Sequence, residues 1–338
     1  MIFSTIIGAG FASGKEVWYY FAQFGWISYP IILIMGLLFF VLCFVCLEFG
    51  KKFEISAVKQ MNYILFNKMS FVAEVFLCLS NFVLLGIMFA GADSLFFESF
   101  GKGFYRFGGI LTAFVSIFVV WLGFKKLVKV NMIIVPGMLF VVLAVICNCI
   151  CSNSSLVIVG GANDNNIVLA LLNSVSFIAS NLYFAGFVIA KMGKGNTTKI
   201  NAFASFFGTF FMLICILCMT TIIYFNPSSF VYDMPLVFIA SKQNFVLGVI
   251  AKIIVWLGVA TTAITLLYQI VNWLESYFGK HKIISILVCV MAVLFANIGF
   301  SAMINYFYPL LGVLGMVYAI FMSRRMAYPQ LKTFKRQI

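Results

Sequence analysis

Residues 7–16 read Ile7-Gly8-Ala9-Gly10-Phe11-Ala12-Ser13-Gly14-Lys15-Glu16, with glycines, a serine and two opposite charges inside an otherwise apolar stretch. A glycine weakens a helix by about 1 kcal/mol relative to alanine. Ser13 and Glu16 also have the Ser-x-x-Glu spacing of a capping box, the sign of a new helix start. The pattern predicts a helix that unwinds around 8–13 and restarts near Gly14. A fresh helix start offers N–H groups and a positive dipole end to an anion such as a carboxylate, and the last turn before the break offers carbonyl oxygens to a cation. Ser13 is therefore a candidate ligand-binding residue. Glu16 is either the partner in the cap or a proton or ligand site, because a charge within an apolar span is a functional candidate by default. Lys15 reads as its neighbour in the outer vestibule.

Two other groups bear on the same chemistry. Asn173, Ser174, Ser176, Ser180 and Asn181 interrupt a second apolar stretch. They suit either hydrogen bonding to a ligand at a second helix break or close packing between helices, which small residues also permit. Farther on, Gly258 precedes Thr261 and Thr262 by one helical turn. One carbonyl and two hydroxyls, with carbonyls from the first break, make an oxygen set for a small hard cation. Threonine hydroxyls in apolar helices also bond their own backbone.

These residues are carried by a membrane chain. Of the 338 residues 64% are hydrophobic, 18% aromatic and only 9% charged, far too little polar surface to cover a soluble domain of this length. The net charge of +13 comes from short basic clusters between apolar stretches, which argues against a nucleic-acid partner and for contact with membrane lipid. Nine cysteines are scattered, most of them in apolar segments where they read as small hydrophobes, and neither close group, Cys147, Cys149 and Cys151 or Cys215 and Cys218, has histidine or carboxylate partners nearby. No basic n-region or small-residue cleavage site marks a signal peptide. With roughly 20 apolar residues needed per crossing, spans are expected near 1–23, 28–50, 70–96, 107–124, 127–151, 167–190, 200–225, 244–273, 282–299 and 302–323. Two connections, 53–66 and 229–241, are long enough for short amphipathic helices.

Placing the N-terminus inside puts 17 of the 22 basic residues in cytoplasmic loops and only Lys102, Arg106 and Lys242 outside, with Lys15 and Lys252 at depth. That asymmetry follows the positive-inside rule and places both termini in the cytoplasm. About ten spans with both ends on one side suggest two five-span repeats, the second inserted upside down. Ala12-Ser13-Gly14 is echoed by Ala179-Ser180-Asn181, the long connections follow the second and seventh spans, and Asn131 with Pro136 is echoed by Asn305 with Pro309. The expected division is 1–151 for the first repeat, 167–325 for the second, and 326–338 for a basic cytoplasmic tail.

The run from Ile7 to Glu16 resembles the opening signature of the YkvI-like bacterial membrane proteins, relatives of the amino acid–polyamine–organocation transporter superfamily with the LeuT-type fold. The span count and the repeat extend this resemblance over essentially the whole chain. It implies an all-α polytopic fold with discontinuous first and sixth helices, in the bacterial inner membrane, and a substrate between those breaks. The same resemblance places Gly8, Ala9 and Gly10 beside a substrate carboxylate. It maps a sodium site onto carbonyls of Ser4 and Ile7 together with Gly258, Thr261 and Thr262. Some proton-coupled relatives carry a lysine in the fifth helix, and the middle of that stretch has none here, which favours sodium. Only about seven residues precede the break, so the inner half of the first span is expected to be short.

The expected function is secondary active transport: symport of an amino acid or similar small zwitterion with sodium or protons, by alternating access, without other cofactors. A transporter-like nutrient sensor is the alternative. No His-Glu-x-x-His or Gly-x-Ser-x-Gly pattern occurs, and the lone histidine, His281, lies in a basic loop. The chain therefore does not read as an enzyme.

Overall fold

The computed structural model describes residues 11, 13–122, 137, 140–145, 147–148 and 166–327. Among them every regular element is helical. A short helix α1 (Lys15–Tyr20) leads through a 3-10 turn into α2 (Ser28–Phe53). Then come α3 (Val58–Phe66), α4 (Ser70–Phe100), α5 (Phe107–Leu122), α6 (Ile167–Gly193), α7 (Thr198–Tyr224), α8 (Pro235–Gln243), α9 (Phe245–Phe278), α10 (His281–Phe295) and α11 (Phe300–Ala327). Eight helical stretches among the described residues are long and apolar enough to cross a membrane. They fall on the second, third, fourth and sixth to tenth expected spans. The expected fifth span lies largely outside the described residues, of which 140–145 are helical. The short helices α3 and α8 occupy the two long connections, as their length and pattern predict.

Local chemistry sets several of these boundaries. Asn166 Oδ1 accepts from Leu169 N, Thr197 Oγ1 from Ile200 N, and Asn244 Oδ1 from Val246 N, so α6, α7 and α9 each begin on a side-chain cap. At its far end α9 stops at Gly279, in the left-handed region, whose N–H closes on Glu275 O. The long–short–long order of α2–α3–α4 recurs as α7–α8–α9. The short helix packs against the long one that follows it in both cases, and α4 packs against α9, and α2 against α7.

Helix α6 is the centre of the bundle, gripped between α2 and α11. The grip depends on missing side chains: a Cβ on Gly50 would stand 1.6 Å from Ala190 O, and one on Gly315 would stand 2.0 Å from Ala179 O. Small residues at these crossings let the backbones meet, the usual device where lipid removes any hydrophobic drive between helices. Outward surfaces carry large apolar side chains such as Leu37, Phe203 and Phe207, a surface suited to hydrocarbon.

One sequence expectation fails in the fold. The break predicted in the sixth span is absent, and α6 runs as one helix through Asn173, Ser174, Ser176, Ser180 and Asn181. The reason is local satisfaction. Ser174 Oγ donates to Leu171 O, while Ser180 Oγ and Asn181 Nδ2 both donate to Phe177 O. Side chains that bond back onto the preceding turn leave no backbone group stranded, so polarity alone does not open the helix.

Candidate functional site

A helix restarts at Lys15, close to where the glycines predict, with Phe11 and Ser13 helical before it; the rest of the stretch expected to unwind, residues 8–10 and 12, lies outside the described residues. Gly14 has φ 83°, a left-handed conformation natural for glycine, and serves as the N-cap of α1. Its N–H closes back on Phe11 O at 3.1 Å, and its carbonyl receives the first helical bond from Trp18 N at 2.9 Å. The capping box does not form as expected. Ser13 Oγ accepts from Lys15 N at 3.1 Å, but Glu16 turns away from the cap. Its carboxylate accepts a hydrogen bond from the Tyr308 hydroxyl of α11. The left-handed glycine reorients the chain, so a Ser-x-x-Glu spacing that would close on a regular first turn points elsewhere here.

Glu16 lies deep among protein atoms and keeps some accessible surface. Around it stand Tyr20 of α1, Phe177 of α6 and Tyr308 of α11. Tyr20 and Tyr308 stack with centroids 5.9 Å apart, and Phe177 meets both Tyr20 and Phe21 edge-on at 5.2 Å. The Tyr20 hydroxyl faces the hydroxyls of Ser176 and Ser180, but the Tyr20 and Ser176 oxygens lack a hydrogen-bond partner at bonding distance. Ser176 also lies directly against Gly312 of α11. Thus Glu16, Ser176 and Ser180 gather where α1, α6 and α11 meet, and Ser13 stands at the start of α1. Asn173 instead ties α6 to the first span by donating to Tyr19 O at 3.2 Å, and Ser174 and Asn181 bond within α6.

A second cluster closes one face of this site, and the sequence reading missed most of it. Lys15 is buried, with its ammonium donating to the carbonyls of Phe230 (3.3 Å) and Tyr232 (3.1 Å) and lying 4.9 Å from the Trp18 ring centroid. Both carbonyls belong to the α7–α8 connection. The same connection carries Asp233, which accepts from Ser94 Oγ of α4 at 2.6 Å and from Ser301 Oγ of α11. The Asp233 N–H donates to Glu98 Oε1 at 2.6 Å. The connection is therefore pinned to α1, α4 and α11 at once. The only sequence signal was the presence of acidic residues beside apolar spans, which says nothing about their partners. Asp93 of α4 accepts from Gly109 N at 2.7 Å at the start of α5.

Gly258, Thr261 and Thr262 lie on α9, where both threonine hydroxyls donate to Gly258 O, at 3.1 and 2.9 Å. That is backbone back-bonding, and it leaves the hydroxyl lone pairs as acceptors. Gly8, Ala9 and Gly10, and the mapped cation ligands Ser4 and Ile7, lie outside the described residues. Among the described residues no cluster of three or more His, Cys, Asp or Glu could hold a metal.

No family model matches the chain. Two proteins of Bacillus subtilis (strain 168) do. The uncharacterized membrane protein YkvI is 28% identical over 93% of this chain and 91% of its own length. The uncharacterized protein YyaD is 20% identical over 99% and 97%. Among solved structures, MhsT in complex with L-phenylalanine superposes with a TM-score of 0.69 at 16% identity, covering 98% of this chain and 88% of MhsT. The chain has the LeuT fold. The resemblance read from residues 7–16 thus holds over nearly the full length, in sequence with YkvI and in architecture with MhsT.

Proposed function

We propose that this protein is a secondary active transporter that carries an amino acid or similar small zwitterion across the bacterial inner membrane by alternating access. The observation that carries the reading is the short helix α1, which starts after a left-handed Gly14 and packs against α6 and α11 with the Glu16 carboxylate between them. Irregular backbone at membrane depth is tolerated only where it faces protein or a polar cavity, and transporters of this architecture bind substrate at such breaks. MhsT, which shares the fold, was crystallised with L-phenylalanine, and that ligand is the first substrate to test.

Sodium is the coupling ion in this reading, taken as cargo by Gly258 O, Thr261 and Thr262 with carbonyls of Ser4 and Ile7. Gly8, Ala9 and Gly10 receive the substrate carboxylate. Residues 1–151 and 167–325 form the two inverted repeats, and both termini are cytoplasmic. The α7–α8 connection is then external, and its bonds to Lys15, Ser94, Glu98 and Ser301 close the outer entrance.

The test is uptake of radiolabelled L-phenylalanine, and then of the other common amino acids, into proteoliposomes under an inward sodium gradient. Accumulation that collapses when sodium is equilibrated across the membrane is expected. Failure to accumulate any amino acid under a sodium or a proton gradient, by protein that still binds one, would overturn transport and leave a sensor.

A further inference from the structure

We infer that Glu16 receives the cationic amine of the ligand, so that the site selects primary ammonium compounds. This rests on the reading of the α1–α6–α11 junction as a ligand site and assigns its chemistry. Three observations support it. First, among the described residues Glu16 has no basic partner. The ion pairs among the described residues are Lys51–Glu48 and His281–Glu275, and the adjacent Lys15 is committed to the Phe230 and Tyr232 carbonyls. Successive helical residues point about 100° apart, so Lys15 and Glu16 serve different walls. A carboxylate left alone at this depth is costly, and a charged ligand is one way to balance it.

Second, the carboxylate is oriented. The Tyr308 hydroxyl donates to one of its oxygens, while the side chain keeps some accessible surface. Among the described residues no other donor reaches the carboxylate, so its remaining acceptor capacity suits a ligand. Third, the neighbouring polar atoms suit the same ligand. The Tyr20 and Ser176 oxygens are buried with no partner at bonding distance, although they face each other, and Ser180 donates its proton to Phe177 O, which leaves its lone pairs as acceptors. Buried polar atoms without partners mark places where a water or ligand completes the site. An ammonium brings three donors and no acceptor, matching a wall of one carboxylate and three hydroxyl oxygens. The rings of Tyr20, Phe177 and Tyr308 exclude water, which strengthens an ion pair inside them.

The test is ligand-induced thermal stabilisation of the purified full chain, using L-phenylalanine, 2-phenylethylamine and 3-phenylpropionate, then the same amine and des-amino pairs for the other amino acids. Amine-bearing probes are expected to stabilise the wild type, with des-amino acids much weaker. Losing one partner of a buried hydrogen-bonded charge pair typically costs 2 kcal/mol or more, so Glu16→Gln should weaken amine probes by about 30-fold or more. The des-amino acids should bind both forms alike. Tyr308→Phe keeps the ring and removes the orienting donor, and should weaken amine probes by a smaller factor.

The inference is overturned if no amine-bearing probe stabilises the wild type, or if Glu16→Gln leaves the amine probes unchanged or weakens all probes equally. It is also overturned if Glu16→Gln abolishes gradient-driven uptake while amine affinity stays intact, which would assign the carboxyl to a coupling proton. Glu16-dependent amine binding without uptake supports the inference and refutes transport. Normal uptake by Glu16→Gln refutes the inference and leaves transport standing.

Discussion

Replacing Asp233 with alanine removes the acceptor through which the α7–α8 connection holds α4 and α11, since Ser94 and Ser301 both donate to it. Hydrogen bonds to a charged group are worth about 1.5–3 kcal/mol each, which sets an upper bound near 6 kcal/mol for the pair. Two features lower that figure. Asp233 is only partly buried, so water replaces part of what is lost, and each serine can rotate onto a carbonyl of its own helix. A net loss of about 2 kcal/mol is therefore expected, equivalent to a roughly 30-fold rise in local opening. The Asp233 N–H bond to Glu98 and the Lys15 bonds to the Phe230 and Tyr232 carbonyls involve backbone atoms of the connection. They survive the substitution, so the bundle itself should stay folded. Amide hydrogen exchange followed by mass spectrometry reads this directly: peptides covering 226–243 should exchange about 30-fold faster, while those of α2 and α6 keep their wild-type rates. Exchange in 226–243 within about three-fold of wild type would refute the idea that Asp233 latches this face. Equal acceleration everywhere would show a global rather than a local role.

Other expectations follow from the same geometry. Gly315→Ala forces a Cβ into Ala179 O, 2.0 Å away, whereas a Cβ on Gly186 meets only ordinary contact with Tyr318 at 3.4 Å. The first substitution should lower the melting temperature by an amount equivalent to about 1–3 kcal/mol and the second should be nearly neutral, so equal effects would contradict the packing described. Asp93→Ala removes the acceptor for Gly109 N and should cost about 1 kcal/mol of stability, as for loss of a helix cap, without altering ligand affinity. A change in affinity at constant stability would instead place Asp93 in the ligand-binding machinery. Thr261→Val should abolish any dependence of uptake or ligand binding on sodium while the protein still folds, because among the described residues its hydroxyl bonds Gly258 O of its own helix. Sodium dependence that persists in this variant would remove Thr261 from the cation site.

The membrane spans were legible in the sequence because bilayer thickness imposes a length and composition that any crossing helix must meet. The break before Lys15 was legible for a related reason: glycine allows a backbone conformation that other residues adopt only under strain, and that property belongs to the chain itself. The sixth span shows the limit of such reasoning. Serine and asparagine read equally well as a break or as helix-to-helix contacts, and only the folded geometry showed them bonding to the preceding turn. Partners at long range were not legible at all. Lys15 meets a carbonyl 217 residues away and Glu16 a hydroxyl 292 residues away, and neither distance leaves a local pattern. The Ser-x-x-Glu spacing pointed to a cap because sequence spacing presumes a regular helix. The left-handed turn at Gly14 rotated Glu16 out of that register and toward α11. Sequence by itself thus determined where the chain crosses and where its first helix restarts, since those follow from local solvation and backbone sterics. Which wall each of the two adjacent charges faces was decided only when α1, α6, α11 and the α7–α8 connection packed together.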